Sequence, residues 1–158
     1  MKRPWNIPDL PVYSIASVGK GKLNMNICTY VTAVSMKHKR YAVAIYHGTK
    51  TLENVKASGV FILQLLHEDQ YRLVNVLGKK TGKQYDKEQY LKKRDILTDW
   101  KGWEVLSDAV AWLWMDVISV QRAGDHDLFL CEVKAWKTSG DGKVLKISEL
   151  NKKGIVRI

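Results

Sequence analysis

Chemistry that depends on charge concentrates first in LGKKTGKQYDK, residues 77–87, where two glycines and four lysines surround a threonine. Such a loop could cradle a phosphate. A triphosphate cradle needs four residues between its glycines and a hydroxyl after its lysine. Here three residues separate Gly78 from Gly82, and Gln84 follows Lys83. The triphosphate reading therefore fails, and what remains is a basic loop after an apolar run. Gly19-Lys20-Gly21-Lys22 also resembles part of a phosphate loop. β-prone runs flank it on both sides and no helix follows, so a hairpin turn is expected there.

Two further constellations could do chemistry. In NICTYVTAVS (26–35) hydroxyls alternate with apolar residues, and in HGTKT (47–51) a glycine, two threonines and a lysine precede a helical pattern. Hydroxyls, helix N-terminal N–H groups and a lysine suit a monophosphate, although strand threonines with an ordinary helix cap have the same composition. In Gly124-Asp125-His126-Asp127 a histidine stands between two aspartates at the start of a strand. The aspartates would orient its ring and raise its pKa. The other reading is a polar turn. The remaining histidines, His38, His47 and His67, form no metal-binding spacing, and there is no H-E-x-x-H or G-x-S-x-G. With so few catalytic groups, a bound cofactor would have to carry the difficult step of any reaction.

The elements that must position these groups are mostly strands. Residues 12–17, 26–35, 41–46, 60–66, 109–121 and 123–137 are β-prone. YAVAIY (41–46) is continuously apolar, as expected of a strand buried on both faces or nearly so, and VFILQLL (60–66) is another buried strand. A short helix is expected after Thr49, with Leu52 and Val55 inward and Gly59 as its stop. A second runs from His67 to about Leu77, and the charged residues 86–98 form a surface helix or long loop. Ser139-Gly140-Asp141-Gly142 is expected to be a hairpin leading into KVLKI. Strands joined mainly by turns favour antiparallel pairing and a barrel.

The 158 residues suffice for one domain spanning 1–158. No apolar run is long enough for a membrane helix, and Pro4, Pro8 and Pro11 interrupt the N-terminus, so no membrane partner, no secretory signal and a cytoplasmic location are expected. Cys28 and Cys131 lie in apolar runs and are expected as reduced, buried thiols, with no metal site. The net charge of +10 favours phosphate-bearing partners. Because the lysines are dispersed and Trp112 and Trp114 lie in an apolar strand, a nucleotide or cofactor is favoured over nucleic acid.

In this order the pieces resemble the flavin reductase-like family of FMN-binding split barrels. NICTYVTAVSMKHKRYAVAIYHGTKTLENVKASGVFILQLL, LVNVLGKKTGKQYDK and GDHDLFLCEV carry the resemblance, which spans roughly residues 12–137. It implies a mainly β fold, a six-stranded antiparallel split barrel with a few short peripheral helices, assembled as a homodimer. It implies FMN as cofactor, NADH or NADPH as co-substrate, and flavin reductase activity, with reduced flavin passing to a partner such as a monooxygenase. A non-enzymatic FMN-binding electron carrier is the alternative. The flavin ring would lie against Cys28, Thr29, Tyr30, Val31, Thr32 and Ser35. The phosphate end would sit at Tyr46, His47, Gly48, Thr49, Lys50 and Thr51, with charge from Lys79 or Lys80. His126 would stand at the reacting face as the catalytic residue.

Overall fold

The computed structural model describes residues 1–139 and 141–158. Its main sheet has seven antiparallel strands in the order β2-β1-β5-β8-β9-β4-β3. They are β1 (Tyr13–Gly19), β2 (Lys22–Met25), β3 (Val31–Ala33), β4 (Arg40–Tyr46), β5 (Val60–Leu65), β8 (Ala111–Ala123) and β9 (His126–Thr138). The hairpin at Lys20-Gly21 forms as expected, with both residues at positive φ (52° and 73°). This is the backbone that a tight two-residue turn between twisted strands requires.

A mainly β fold with short peripheral helices is what the sequence led us to expect, but the strands do not close into the six-stranded split barrel expected with it. The main sheet is open, with β2 and β3 as its ends. NICTYVTAVS is also not one strand, because only Val31–Ala33 pairs with β4. Residues 26–30 cross between the ends of the sheet instead. Cys28 exchanges two backbone hydrogen bonds with Tyr13 (2.8 and 2.9 Å), and the Tyr30 carbonyl accepts from the Ala44 N–H (2.9 Å). The Asn26 side chain accepts from the Ile15 N–H at 2.8 Å in place of a ladder bond. The segment is therefore shared between β1 and β4, and the sheet curls without a continuous closing ladder.

The core follows from strand alternation. Along β5, Phe61 and Leu63 enter a cluster with Ile15, Val43, Val55, Met115 and Phe129, while Ile62 enters another with Ala16, Met25, Leu77 and Leu91. This strand is buried on both faces, as its continuous apolar run implies. β4 is not. Val43 and Ile45 are buried, but Ala42 and Ala44 are only half-buried and Tyr46 is exposed.

Among the described residues four α-helices lie at the periphery: α1 (Lys50–Ser58), α2 (Val74–Leu77), α3 (Lys87–Lys93) and α4 (Ile147–Lys152). The expected helix from His67 onward begins as a 3-10 turn over Glu68–Leu73, capped by the His67 ring and Gln70 side chain, and becomes α-helical only at α2. Residues 86–98 hold α3 and then β6 (Leu97–Trp100), which pairs with β7 (Trp103–Leu106). Trp112 is core: it packs 6.0 Å from Trp100 and donates to the Leu106 carbonyl at 3.0 Å. The hairpin expected at 139–142 includes Gly140, which lies outside the described residues. Beyond it, Val144 bridges His67 and Lys146 bridges Pro11. No described helix is long and apolar enough to cross a membrane.

Candidate functional site

One cavity of ≈ 640 Å³ opens where residues 24–30, the β4–α1 connection, the 77–82 loop and the start of α3 meet. Of the residues singled out in the sequence, Cys28, Thr29, Tyr30, Tyr46, His47, Gly48, Thr49, Lys50, Thr51, Lys79, Lys80 and His126 all line it. Segments far apart in the chain thus converge on one site, of a size usual for small-molecule pockets.

Val31, Thr32 and Ser35 do not line the cavity. β3 leads them away along β4. Val31 packs against a core cluster, the Thr32 hydroxyl donates to the Ala33 carbonyl (3.2 Å), and Ser35 Oγ accepts from the His38 N–H (3.1 Å). Cys28 is half-buried, and burial pushes its thiol up to about 12, so it is an inert wall rather than a nucleophile.

At the β4–α1 connection the two threonines divide their work. Thr49 is the N-cap of α1: its hydroxyl donates to the Tyr46 carbonyl (2.9 Å) and accepts from the Leu52 N–H (3.2 Å). With its proton engaged, the Thr49 hydroxyl has nothing left to donate to an anion. Thr49→Ala should therefore act on the helix, lowering stability by about 1 kcal/mol in a urea titration. Thr51 is different. It is buried, and its oxygen accepts from Asn24 Nδ2 at 3.0 Å, which leaves the hydroxyl proton free beside the cavity. Among the described residues the N–H groups of Lys50 and Thr51 also have no acceptor within the protein. A helix N-terminus with free donors favours an anion.

The loop 77–87 closes the same end. Gly82 presses on Asn24, and a Cβ there would overlap Asn24 Oδ1, so glycine is required for the loop to seat. Lys83 binds Glu53 (2.8 Å) and Lys22 binds Asp86 (2.7 Å), tying the loop to α1 and β2. Lys79 and Lys80 are exposed, and Lys80 Nζ lies 4.2 Å over the Tyr85 ring.

The cation that sequence reasoning missed is Lys87, which is 5% exposed. Its Nζ donates to the Leu77 carbonyl at 2.9 Å, and no described carboxylate lies within 4.0 Å of it. Burial lowers its pKa from 10.5 to about 8. A buried ammonium without a carboxylate partner is costly, and an anion in the cavity would offset that cost. Nothing in its residue type distinguished it from the neighbouring surface lysines.

Only one of the two aspartates beside His126 meets its ring, because successive strand residues face opposite sides of the sheet and Asp127 therefore points away from it. Asp125, in the turn, holds His126 Nδ1 at 2.6 Å. Asp127 is buried on the other face, where Lys56 and His47 (2.8 Å) hold it below the usual carboxylate range. The expectation that both aspartates orient His126 is thus corrected to Asp125 alone. Tyr30 and Tyr46 flank the His126 ring at centroid distances of 5.3 and 5.2 Å. No described group of histidine, cysteine and carboxylate side chains could hold a metal ion.

Residues 9–147 match the model of the flavin reductase like domain. The chain belongs to the flavin reductase-like family. No curated protein matches it significantly. Similar solved structures include an FMN-binding protein from Thermus thermophilus with bound 1-cyclohex-2-enone, at 21% identity over 87% of this chain and 75% of that one, with a TM-score of 0.76. The styrene monooxygenase flavin reductase from Pseudomonas putida S12 is 21% identical over 84% and 82%, with a TM-score of 0.70. A flavoredoxin from Methanosarcina acetivorans is 17% identical over 88% and 75%, with a TM-score of 0.76. At these identities the likeness establishes that this flavin reductase-like chain shares their fold.

Proposed function

We propose that this protein binds FMN in the ≈ 640 Å³ cavity and acts as a flavin reductase, moving hydride from NADH or NADPH to flavin. Family membership supports the class of activity. The observation that carries the cofactor is Lys87: a buried ammonium with no carboxylate partner, on the same wall as the free Thr51 hydroxyl and the α1 N-terminus. This donor set fits a phosphate monoester. Thr51, Lys87 and the Lys50 and Thr51 N–H groups would hold the phosphate, and the segment 27–30 would lie along the ring.

FMN, when bound, supplies the hydride-accepting ring. The chain supplies placement. Tyr30 and Tyr46 confine His126 between them, and Asp125 fixes its ring orientation, which presents a defined edge to a nicotinamide at the cavity mouth. The half-buried Ala42 and Ala44 lie opposite Leu130 and the exposed Leu128 across the β4–β9 pair, an apolar face suited to a second copy of the chain. A homodimer is the proposed assembly. The monooxygenase component named for the Pseudomonas relative supports a similar acceptor for the reduced flavin here. The free thiols suit a cytoplasmic location.

Titrating flavin-free protein with FMN should quench flavin fluorescence to a saturable endpoint. Anaerobic addition of NADH or NADPH to the complex should then bleach the oxidised flavin absorbance. No saturable quenching would overturn the cofactor. Quenching without bleaching by either nucleotide would leave an FMN-binding electron carrier.

A further inference from the structure

Four polar side chains are buried where the β1–β2 hairpin packs against α1: Ser17, Asn24, Thr51 and Asn54. Burying such groups costs free energy unless each finds a partner. Here the donors run in one direction. Asn54 Nδ2 donates to Ser17 Oγ (3.1 Å), and the Ser17 hydroxyl donates to the Asn24 carbonyl (3.5 Å). Asn24 Nδ2 donates in turn to Thr51 Oγ1 (3.0 Å). Glycine makes room at two points: a Cβ at Gly19 would overlap Asn54 Oδ1, and one at Gly82 would overlap Asn24 Oδ1. The row thus starts on α1, crosses β1 and β2, and returns to the first turn of α1. Of the four residues only Asn24 and Thr51 line the main cavity. Thr51 ends the row, accepting from Asn24 and donating to no described residue.

A hydroxyl has one proton and two lone pairs. A donor seated on one lone pair turns the proton elsewhere, and here the open direction is the cavity. An acceptor in place of the Asn24 amide would draw the proton to itself, and Thr51 would then show only lone pairs to a bound anion. We propose that Asn24 is a positioning residue through which the site selects a phosphorylated flavin over the same flavin without its phosphate. It acts by fixing the sense of the Thr51 hydroxyl, and its own place is fixed by Ser17 and by the close approach of Gly82. This rests on the FMN reading of the cavity and adds how the phosphate is told apart. It also accounts for polar groups that packing alone does not need, because apolar side chains of the same shape would fill the space at no desolvation cost.

The test is a double-mutant cycle with two substitutions that keep side-chain shape, Asn24→Asp and Thr51→Val. The readout is the ratio of FMN to riboflavin affinity in fluorescence titrations. Riboflavin has the same ring and ribityl chain without the phosphate, so a general disturbance of the pocket lowers both affinities and leaves the ratio alone. A carboxylate at position 24 can only accept when ionised, and Lys50 and Lys87 on the same cavity favour the ionised form. Thr51→Val alone should lower the ratio about tenfold, the loss of one charge-assisted hydrogen bond. Asn24→Asp alone should lower it about 100-fold, because it removes that bond and sets a negative charge behind the phosphate. Once Asn24→Asp is present, adding Thr51→Val should cost nothing further, since the hydroxyl no longer faces the phosphate. A Thr51→Val effect of the same size in both backgrounds overturns the proposal. So does a Thr51→Val variant with the wild-type ratio, which would mean that the proton already points at Asn24. Asn24→Asp that lowers FMN and riboflavin affinity together would make Asn24 a structural residue and overturn it as well. Wild type that binds riboflavin as tightly as FMN would overturn the phosphate assignment and this proposal with it, leaving the ring site standing. Wild type that binds neither would overturn the flavin reading itself.

Discussion

Lys87→Met should make the flavin-free protein more stable and, at the same time, weaken FMN binding about 100-fold, a loss of about 2–3 kcal/mol expected for a charge-assisted hydrogen bond. The opposed signs come from one fact. In the empty cavity the ammonium is buried with only the Leu77 carbonyl for company, and its pKa falls from 10.5 to about 8. That depression corresponds to a folding penalty of about 3 kcal/mol when the group is charged. Methionine removes the penalty and leaves the Leu77 carbonyl without its donor, at about 1 kcal/mol, so a net gain of about 1–2 kcal/mol remains.

The pH dependence of this gain has a definite sign. The unfolded chain holds the Lys87 proton up to about 10.5 and the folded chain only to about 8. Between these values the unfolded state binds more protons, so the lysine's contribution to stability rises with pH. Below pH 8 the penalty is fully present, and above 10.5 it is gone. The stability advantage of Lys87→Met over wild type should therefore be greatest below pH 8 and shrink through the window from 8 to 10.5. Taking the difference between the two proteins cancels the opposite trend from Cys28 and Cys131, whose thiols burial pushes up to about 12 in both. Chemical denaturation at several pH values, paired with FMN titration, checks both signs. A variant that is less stable than wild type and binds FMN normally would mean that Lys87 is a structural anchor.

Such a residue could not be found by type or spacing, since it sits in a lysine-rich segment whose other members are solvated. Only the packing of α3 on β2 and the closure of the loop over Leu77 remove its water. The same limit applies elsewhere. The separate pieces NICTY, HGTKT, GKKTG and GDHD were legible because glycine, threonine and charge cluster where chains turn and bind. Their convergence on one cavity depends on β4 pairing with β9 in the register that sets Tyr46 opposite His126. β5 was legible as a strand buried on both faces. β4, of similar composition, was misread, because alanine at 42 and 44 fits a covered face and an open one equally well. Val31, Thr32 and Ser35 were assigned to the site because a β-prone run was read as one strand, whereas residues 26–30 bond to β1 and β4 in turn. The β6–β7 hairpin was hidden by its short strands amid charged residues. Its Trp100 and Trp103 pack on Trp112 and Trp114, a tertiary fact with no local signature.

His126→Ala should slow anaerobic reduction of bound FMN by NADH or NADPH about 100-fold while changing FMN affinity by less than about threefold, because the side chain acts through placement at the mouth and not through the phosphate. The geometry supports that division. The ring is held at one nitrogen by Asp125 and packs beside two tyrosines, while the donors proposed for the phosphate lie on α1 and α3. Asp125→Asn separates orientation from presence. It keeps the ring but replaces a charged acceptor with an amide, so it should reduce the rate by a smaller factor, about tenfold, and leave flavin affinity alone. The carboxylate of Asp125 is held below its usual range by its bond to His126. It therefore stays ionised to lower pH than an ordinary aspartate, so the contact with the ring persists on mild acidification. Stopped-flow traces of the flavin absorbance give the rates of all three proteins under one set of conditions. Equal rates in wild type and His126→Ala, with FMN bound in both, would remove His126 from the reaction. The two flanking tyrosines would then be the groups that meet the nicotinamide.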